Sequence, residues 1–157
     1  MKQIVFQRKD WLELCSYLSQ RNDVETAAYA VFKISSHEGA LKLLVTKVLV
    51  PNEKDYHCRT SIRVAFKAEF TERVFQFCEG SNGHLLDIHT HPFSEYPDFS
   101  AIDDTEAGRT KVPYMAQYLP NMRIAFIVLG KTMVKGKARY WDIENSKLAD
   151  IDRIAIV

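Results

Sequence analysis

The sequence predicts a single α/β or α+β domain, a mixed β-sheet with helices packed on its faces. Three observations predict it. The chain has 157 residues, 46% of them hydrophobic and 11% aromatic, which suits one domain that buries roughly two thirds of its unfolded surface. Apolar residues recur with period two in some segments and with helical spacing in others, and the two kinds are mixed without strict alternation. There is no repeat and no low-complexity linker, and glycine and proline total six and five, so residues 1–157 read as one domain.

The elements follow in order. Ile4 to Gln7 is a short strand. Asp10 is placed to cap a helix through about Gln20, with Trp11, Leu14, Cys15 and Leu18 at helical spacing. After an Asn22-Asp23 turn, Glu25 to Ser35 and Leu41 to Val50 form two strands joined by a hairpin turn at 36–39. Residues 52–60 read as a polar loop and 61–66 as a strand. Phe70, Val74 and Cys78 mark a helix over 67–79, stopped by Gly80 and Gly83. Leu85 to Thr90 is a buried strand, 91–99 a loop with two prolines, and Ser100 to about Thr110 a helix. Arg123 to Leu129, Ala138 to Asp142 and the apolar tail Ile151 to Val157 complete the strands; the tail suits either a closing strand or the start of further chain.

Composition removes several function classes. The net charge of +1 gives no general attraction to nucleic acid. No apolar run is long enough to span a membrane, and the start is polar too soon for a secretory signal, so a cytoplasmic protein is expected. Cys15, Cys58 and Cys78 are widely spaced and contain no C-x-x-C, which fits reduced thiols and excludes zinc ribbons and nucleobase deaminases. Cys15 and Cys78 lie on apolar stripes and read as core residues. Charge is uneven in one place. Residues 87–106 hold six acids and no Lys or Arg, while 109–139 hold seven basic residues and no acid. These stretches are either two mutually compensating faces or an acidic pocket beside a basic docking surface.

The chemistry is concentrated in Asp87-Ile88-His89-Thr90-His91-Pro92 and Ser100-Ala101-Ile102-Asp103. On a strand, residues two apart share a side, so His89 and His91 converge while Thr90 faces away. Two imidazoles are half of a zinc site. Asp103, in the first turn of the next helix, can add an oxygen ligand and leave a fourth position open, as catalytic zinc requires. Ser100 and Asp103 also have the spacing of a helix cap. The two readings are compatible, because a capped first turn is rigid. His37, His57 and His84 read as surface residues. Phe93, Tyr96 and Phe99 make the loop apolar, and either pack over the site or line a substrate groove.

The combined pattern resembles the JAB/JAMM (MPN+) metalloproteases: an upstream Glu25 followed by small residues, then His89-Thr90-His91-Pro92, a loop, and Ser100-x-x-Asp103. It is most similar to the bacterial branch associated with ubiquitin-like conjugation systems. The resemblance implies a curved mixed sheet of the JAB/MPN type and one zinc ion per chain on His89, His91 and Asp103. It also implies Glu25 as general base and Ser100 as hydrogen-bond donor to the oxyanion. The implied activity is that of a zinc isopeptidase or peptidase cutting after the C-terminal tail of a ubiquitin-like protein, with E1-like or E2-like enzymes as possible partners. Two departures are visible. The 92–99 loop is one residue longer than the family's usual pattern, which makes Asp104 a rival to Asp103, and position 27, often Gly, is Ala. The competing functions are a non-catalytic binding scaffold and a hydrolase of small peptides or amino-acid conjugates.

Overall fold

The computed structural model describes every residue from Met1 to Val157. In chain order, β1 (Lys2–Phe6) and α1 (Arg8–Leu18) lead into the hairpin β2 (Ala27–His37) and β3 (Ala40–Leu49). A 3₁₀ turn (Glu53–Asp55) and the small hairpin β4 (Tyr56–Arg59) and β5 (Val64–Phe66) precede α2 (Ala68–Gly80) and β6 (His84–Thr90). A helical stretch follows: α3 (Ala101–Thr105), a π turn (Glu106–Lys111) and α4 (Val112–Tyr118). The strands β7 (Ile124–Leu129), β8 (Gly136–Asp142), β9 (Lys147–Asp150) and β10 (Arg153–Ile156) finish a single α+β domain.

Eight strands form one mixed sheet in the order β10-β1-β3-β2-β6-β7-β8-β9, and β4 pairs with β5 beside it. The β2–β3 hairpin turns through Glu38 and Gly39, both at positive φ (48° and 78°), the backbone twist that tight hairpins favour. The sheet curls because the segment between β9 and β10 touches both ends: Ile151 N–H donates to Ala138 C=O and Asp152 N–H to Lys2 C=O, each at 2.9 Å.

Alternation along the strands supplies two apolar faces. Ala28, Ala30, Phe32, Leu86, Ile88 and Ile127 face α1 through Leu14 and Leu18. Tyr29, Val31, Leu85, Ile124 and Phe126 face α2 and α4 through Phe70, Val74, Cys78, Val112 and Met115. Each fully buried aliphatic or aromatic side chain contributes about 1.5–3 kcal/mol. Burial pushes the Cys78 thiol up to about 12 and that of half-buried Cys15 up to about 11, which makes both poor nucleophiles.

Several boundaries differ from the sequence reading, each for a local reason. Asp10 lies in the first turn of α1 and does not cap it; Gln7 is the N-cap, and Arg8 N–H donates to Val157 C=O (2.7 Å), so the tail does the work of a capping side chain. β2 starts at Ala27, two residues later than expected, although Glu25 and Thr26 stay extended beside it. The expected polar loop contains β4, whose outward His57 and half-buried Arg59 disguise a strand that buries Tyr56. The helix from Ser100 runs on past Thr110 to Tyr118, because the π turn lets it pass Pro113, which stands in the first turn of α4. β9 is short and charged, as edge strands often are, and carries no apolar period. No helix is long and apolar enough to cross a membrane.

Candidate metal centre

The end of β6 carries the site. Asp87, His89 and His91 project on the side that faces α2 and α3. Antiparallel pairing sets Ala27 opposite His89, and the small methyl leaves that imidazole room. The ladder continues past the formal strand end. Thr26 N–H donates to Thr90 Oγ1 (3.0 Å), and Thr90 N–H to Thr26 C=O (2.9 Å). Carried two residues on, this register puts Glu25 across from His91. The turn of the small hairpin then pins Glu25: its N–H donates to Thr60 C=O (2.7 Å), and its C=O accepts from Arg59 Nε (3.1 Å). The side chain read from sequence alone as an ordinary strand-start acid is buried, only 4% exposed.

Asp103 arrives from the opposite side through a capping box. Ser100 Oγ accepts from Asp103 N–H (3.1 Å), and Asp103 Oδ2 accepts from Ser100 N–H (2.7 Å). The box fixes the carboxylate with Oδ1 at 3.1 Å from His89 Nε2 and Oδ2 at 3.3 Å from His91 Nε2. The two Nε2 atoms are 3.1 Å apart. Glu25 Oε2 stands slightly back, 3.9 Å from His91 Nε2, and one donor atom from each of the four residues lies within 4.8 Å of the others. Asp104, the rival ligand, turns outward to Arg139.

The electrostatics match this packing. Burial raises the Glu25 carboxyl above its ordinary value against the pull of His89 and His91. Burial also works to raise Asp103, but hydrogen bonds from His89 and His91 outweigh it and hold the group well below the carboxylate range. The Asp103 hydrogen bond raises His91 in turn, against burial. Four ionisable groups crowded into so little space are costly unless a cation joins them. The donor set fits one. Ligands about 2.0–2.1 Å from a tetrahedral ion lie roughly 3.3–3.4 Å from each other, and the His89–His91–Asp103 triangle has edges of 3.1–3.3 Å. The Glu25, His89, His91 and Asp103 group can therefore bind a metal ion.

The centre opens into a cleft of about 420 Å³ between the β4–β5 hairpin, α2 and the helical stretch from α3 to α4. The charged stretches at 87–106 and 109–139 meet here. Asp87 pairs with Lys111, Asp98 with Lys137 and Asp104 with Arg139, so the two charge runs compensate one another directly. Asp87 was within reach of sequence reasoning, since alternation puts it on the His89 side; Lys111 and Arg139 carried no local signal. Of the loop aromatics, Phe99 packs toward the site, 6.4 Å from His89 between ring centroids, while Phe93 and Tyr96 are exposed. His37 and His57 are surface residues. His84 is half-buried instead, and its Nδ1 accepts from Arg123 N–H (2.9 Å).

The chain matches no known protein-family profile and no curated protein sequence.

Two predictions test this geometry. Asp103→Asn weakens metal binding, by about ten- to a hundredfold in a competition titration, whereas Asp104→Asn leaves it within a few-fold. The reverse would show that the longer loop shifts the register. The loop itself rests on Gly130: a Cβ there would lie 2.6 Å from Ser94 O and 2.9 Å from Pro97 Cδ. Gly130→Ala is expected to cost about 1–3 kcal/mol in denaturant unfolding; an unchanged midpoint would mean the loop yields freely.

Proposed function

We propose that the centre holds one zinc ion and that the protein hydrolyses the amide or isopeptide bond after the C-terminal tail of a ubiquitin-like protein. The observation that carries the proposal is the division within the cluster. His89, His91 and Asp103 form a triangle of ligand dimensions, and Glu25 stands just outside it. That is the arrangement of three ligands and a base. The resemblance to the JAB/JAMM family supports the same assignment of roles.

Zinc bound there supplies Lewis acidity and lowers the pKa of water toward about 7. The chain's own residues do the rest. Glu25, kept by burial from ionising as readily as a surface acid, takes the proton of the attacking water and passes it to the leaving nitrogen. Ser100 Oγ already accepts from Asp103 N–H, so its own proton is free to donate to the oxyanion. Partnership with E1-like or E2-like enzymes in the cytoplasm belongs to the same proposal and rests on the resemblance alone.

Metal analysis of protein purified without chelator is expected to give about one zinc per chain. With a cognate partner in hand, a tail attached to its folded domain should be cut with a much higher kcat/KM than the same tail as a free peptide, because the body supplies positioning energy. Equal rates would favour a small-peptide hydrolase. Tight binding without cleavage would favour a scaffold.

A further inference from the structure

We infer that Arg139 is a carboxylate-binding residue of the cleft, and that the group it receives is a C-terminal residue with a free α-carboxylate and a bulky apolar side chain. The inference rests on the peptidase reading and chooses within it: removal of a terminal residue, not release from a lysine inside another protein.

Arg139 Nε and Nη2 are the only buried side-chain nitrogen or oxygen atoms in the chain without a hydrogen-bond partner. They share one edge of the guanidinium, with parallel N–H bonds spaced to meet both oxygens of a carboxylate. Two idle donors on a buried cation are costly, so they call for an acceptor. The rest of the group is already held. Nη1 donates to the Asp104 carboxylate, and the guanidinium stacks on Phe99 with Cζ 3.8 Å from the ring centroid. Only 11% of the side chain is exposed. Phe99 also packs toward His89, so one aromatic ring separates the idle edge from the metal centre, and that ring is what an incoming ligand displaces.

The cleft selects the class of ligand. Three cations line it, and two are engaged: Lys111 with Asp87, and Arg63 with Glu106. Only Arg139 has donors to spare. The remaining wall is largely apolar, with Phe66, Phe75 and Phe126 among its residues, and about 420 Å³ is ample for a large side chain. Glu25 is itself part of this wall, so the leaving nitrogen that takes its proton lies on the cleft side. Water adds its oxygen to the scissile carbonyl carbon and the C–N bond breaks. The acyl part leaves as a carboxylate, and the nitrogen takes the proton to leave as a free amino acid.

The test uses benzoyl-glycyl-phenylalanine and its C-terminal amide as probes. Binding to the zinc-loaded Glu25→Gln protein is measured by calorimetry, and cleavage by the wild type is measured in parallel. The acid is expected to bind about ten- to a hundredfold more tightly than the amide, and this ratio should fall to near one when Arg139→Gln is added. Arg139→Lys, which keeps the charge but loses the fork, should retain only a few-fold preference. Circular dichroism confirms that each variant is folded. Equal binding of acid and amide, or a preference that survives Arg139→Gln, would overturn the inference. An acid preference that depends on Arg139, with no cleavage by zinc-loaded wild type, would instead overturn the peptidase reading.

Discussion

Glu25→Gln is expected to lower turnover by about a hundredfold or more while zinc stays bound. The amide has nearly the shape of the carboxylate but cannot take a proton from water. Glu25 Oε2 is 3.9 Å from His91 Nε2, outside the 3.1–3.3 Å triangle, so metal content should remain near one per chain. The fold should tolerate the change. Burial raises the Glu25 pKa above its unfolded value, so its ionisation opposes folding as pH climbs through that range. The neutral amide removes this opposition, and the metal-free variant should melt no lower than the metal-free wild type at neutral pH. Loss of zinc in the variant would make Glu25 a ligand. Near-normal turnover would place the base elsewhere.

Removing the metal is expected to abolish hydrolysis and to lower stability by about 4 kcal/mol, if free zinc had stood a thousandfold above its dissociation constant. For a chain of this length that is roughly 8–16 °C in melting temperature. The secondary structure should survive, because the Thr26–Thr90 bonds and the Ser100–Asp103 box hold the ligands from outside the metal. His91→Ala should lose most of its zinc and show little further drop in melting temperature on chelation. A wild type whose melting temperature ignores chelation would mean that no metal sits among these four residues.

How much of this was legible in sequence depended on the range of each interaction. β2, β3, β6, β7 and α2 declare themselves because their apolar periods run over six residues or more. The convergence of His89 and His91 follows from strand alternation alone, and Asp103 from a three-residue capping spacing. β4 and β9 were hidden because polar, four-residue strands carry no usable period. The burial of Glu25 was hidden for a different reason: it depends on Arg59 and Thr60, more than thirty positions away. Lys111 and Arg139 enter the cleft only through pairing across the fold, and no local pattern announces that.

The π turn at Glu106–Lys111 works as a vernier. An α-helix advances about 100° per residue, and a wide turn holds one residue more than that phase requires. Asp103 is presented to the histidines on one side of the turn; on the other, Lys111, Val112 and Met115 engage the sheet face. Deleting one residue between 107 and 110 would therefore act less as a shortening than as a rotation. It would close the turn into ordinary helix and swing the core-gripping end by about a quarter turn relative to the metal-binding end. Natural variation in length at this point would change the phase between chemistry and packing, so an insertion or deletion here is a different kind of mutation from one in the loop before Ser100.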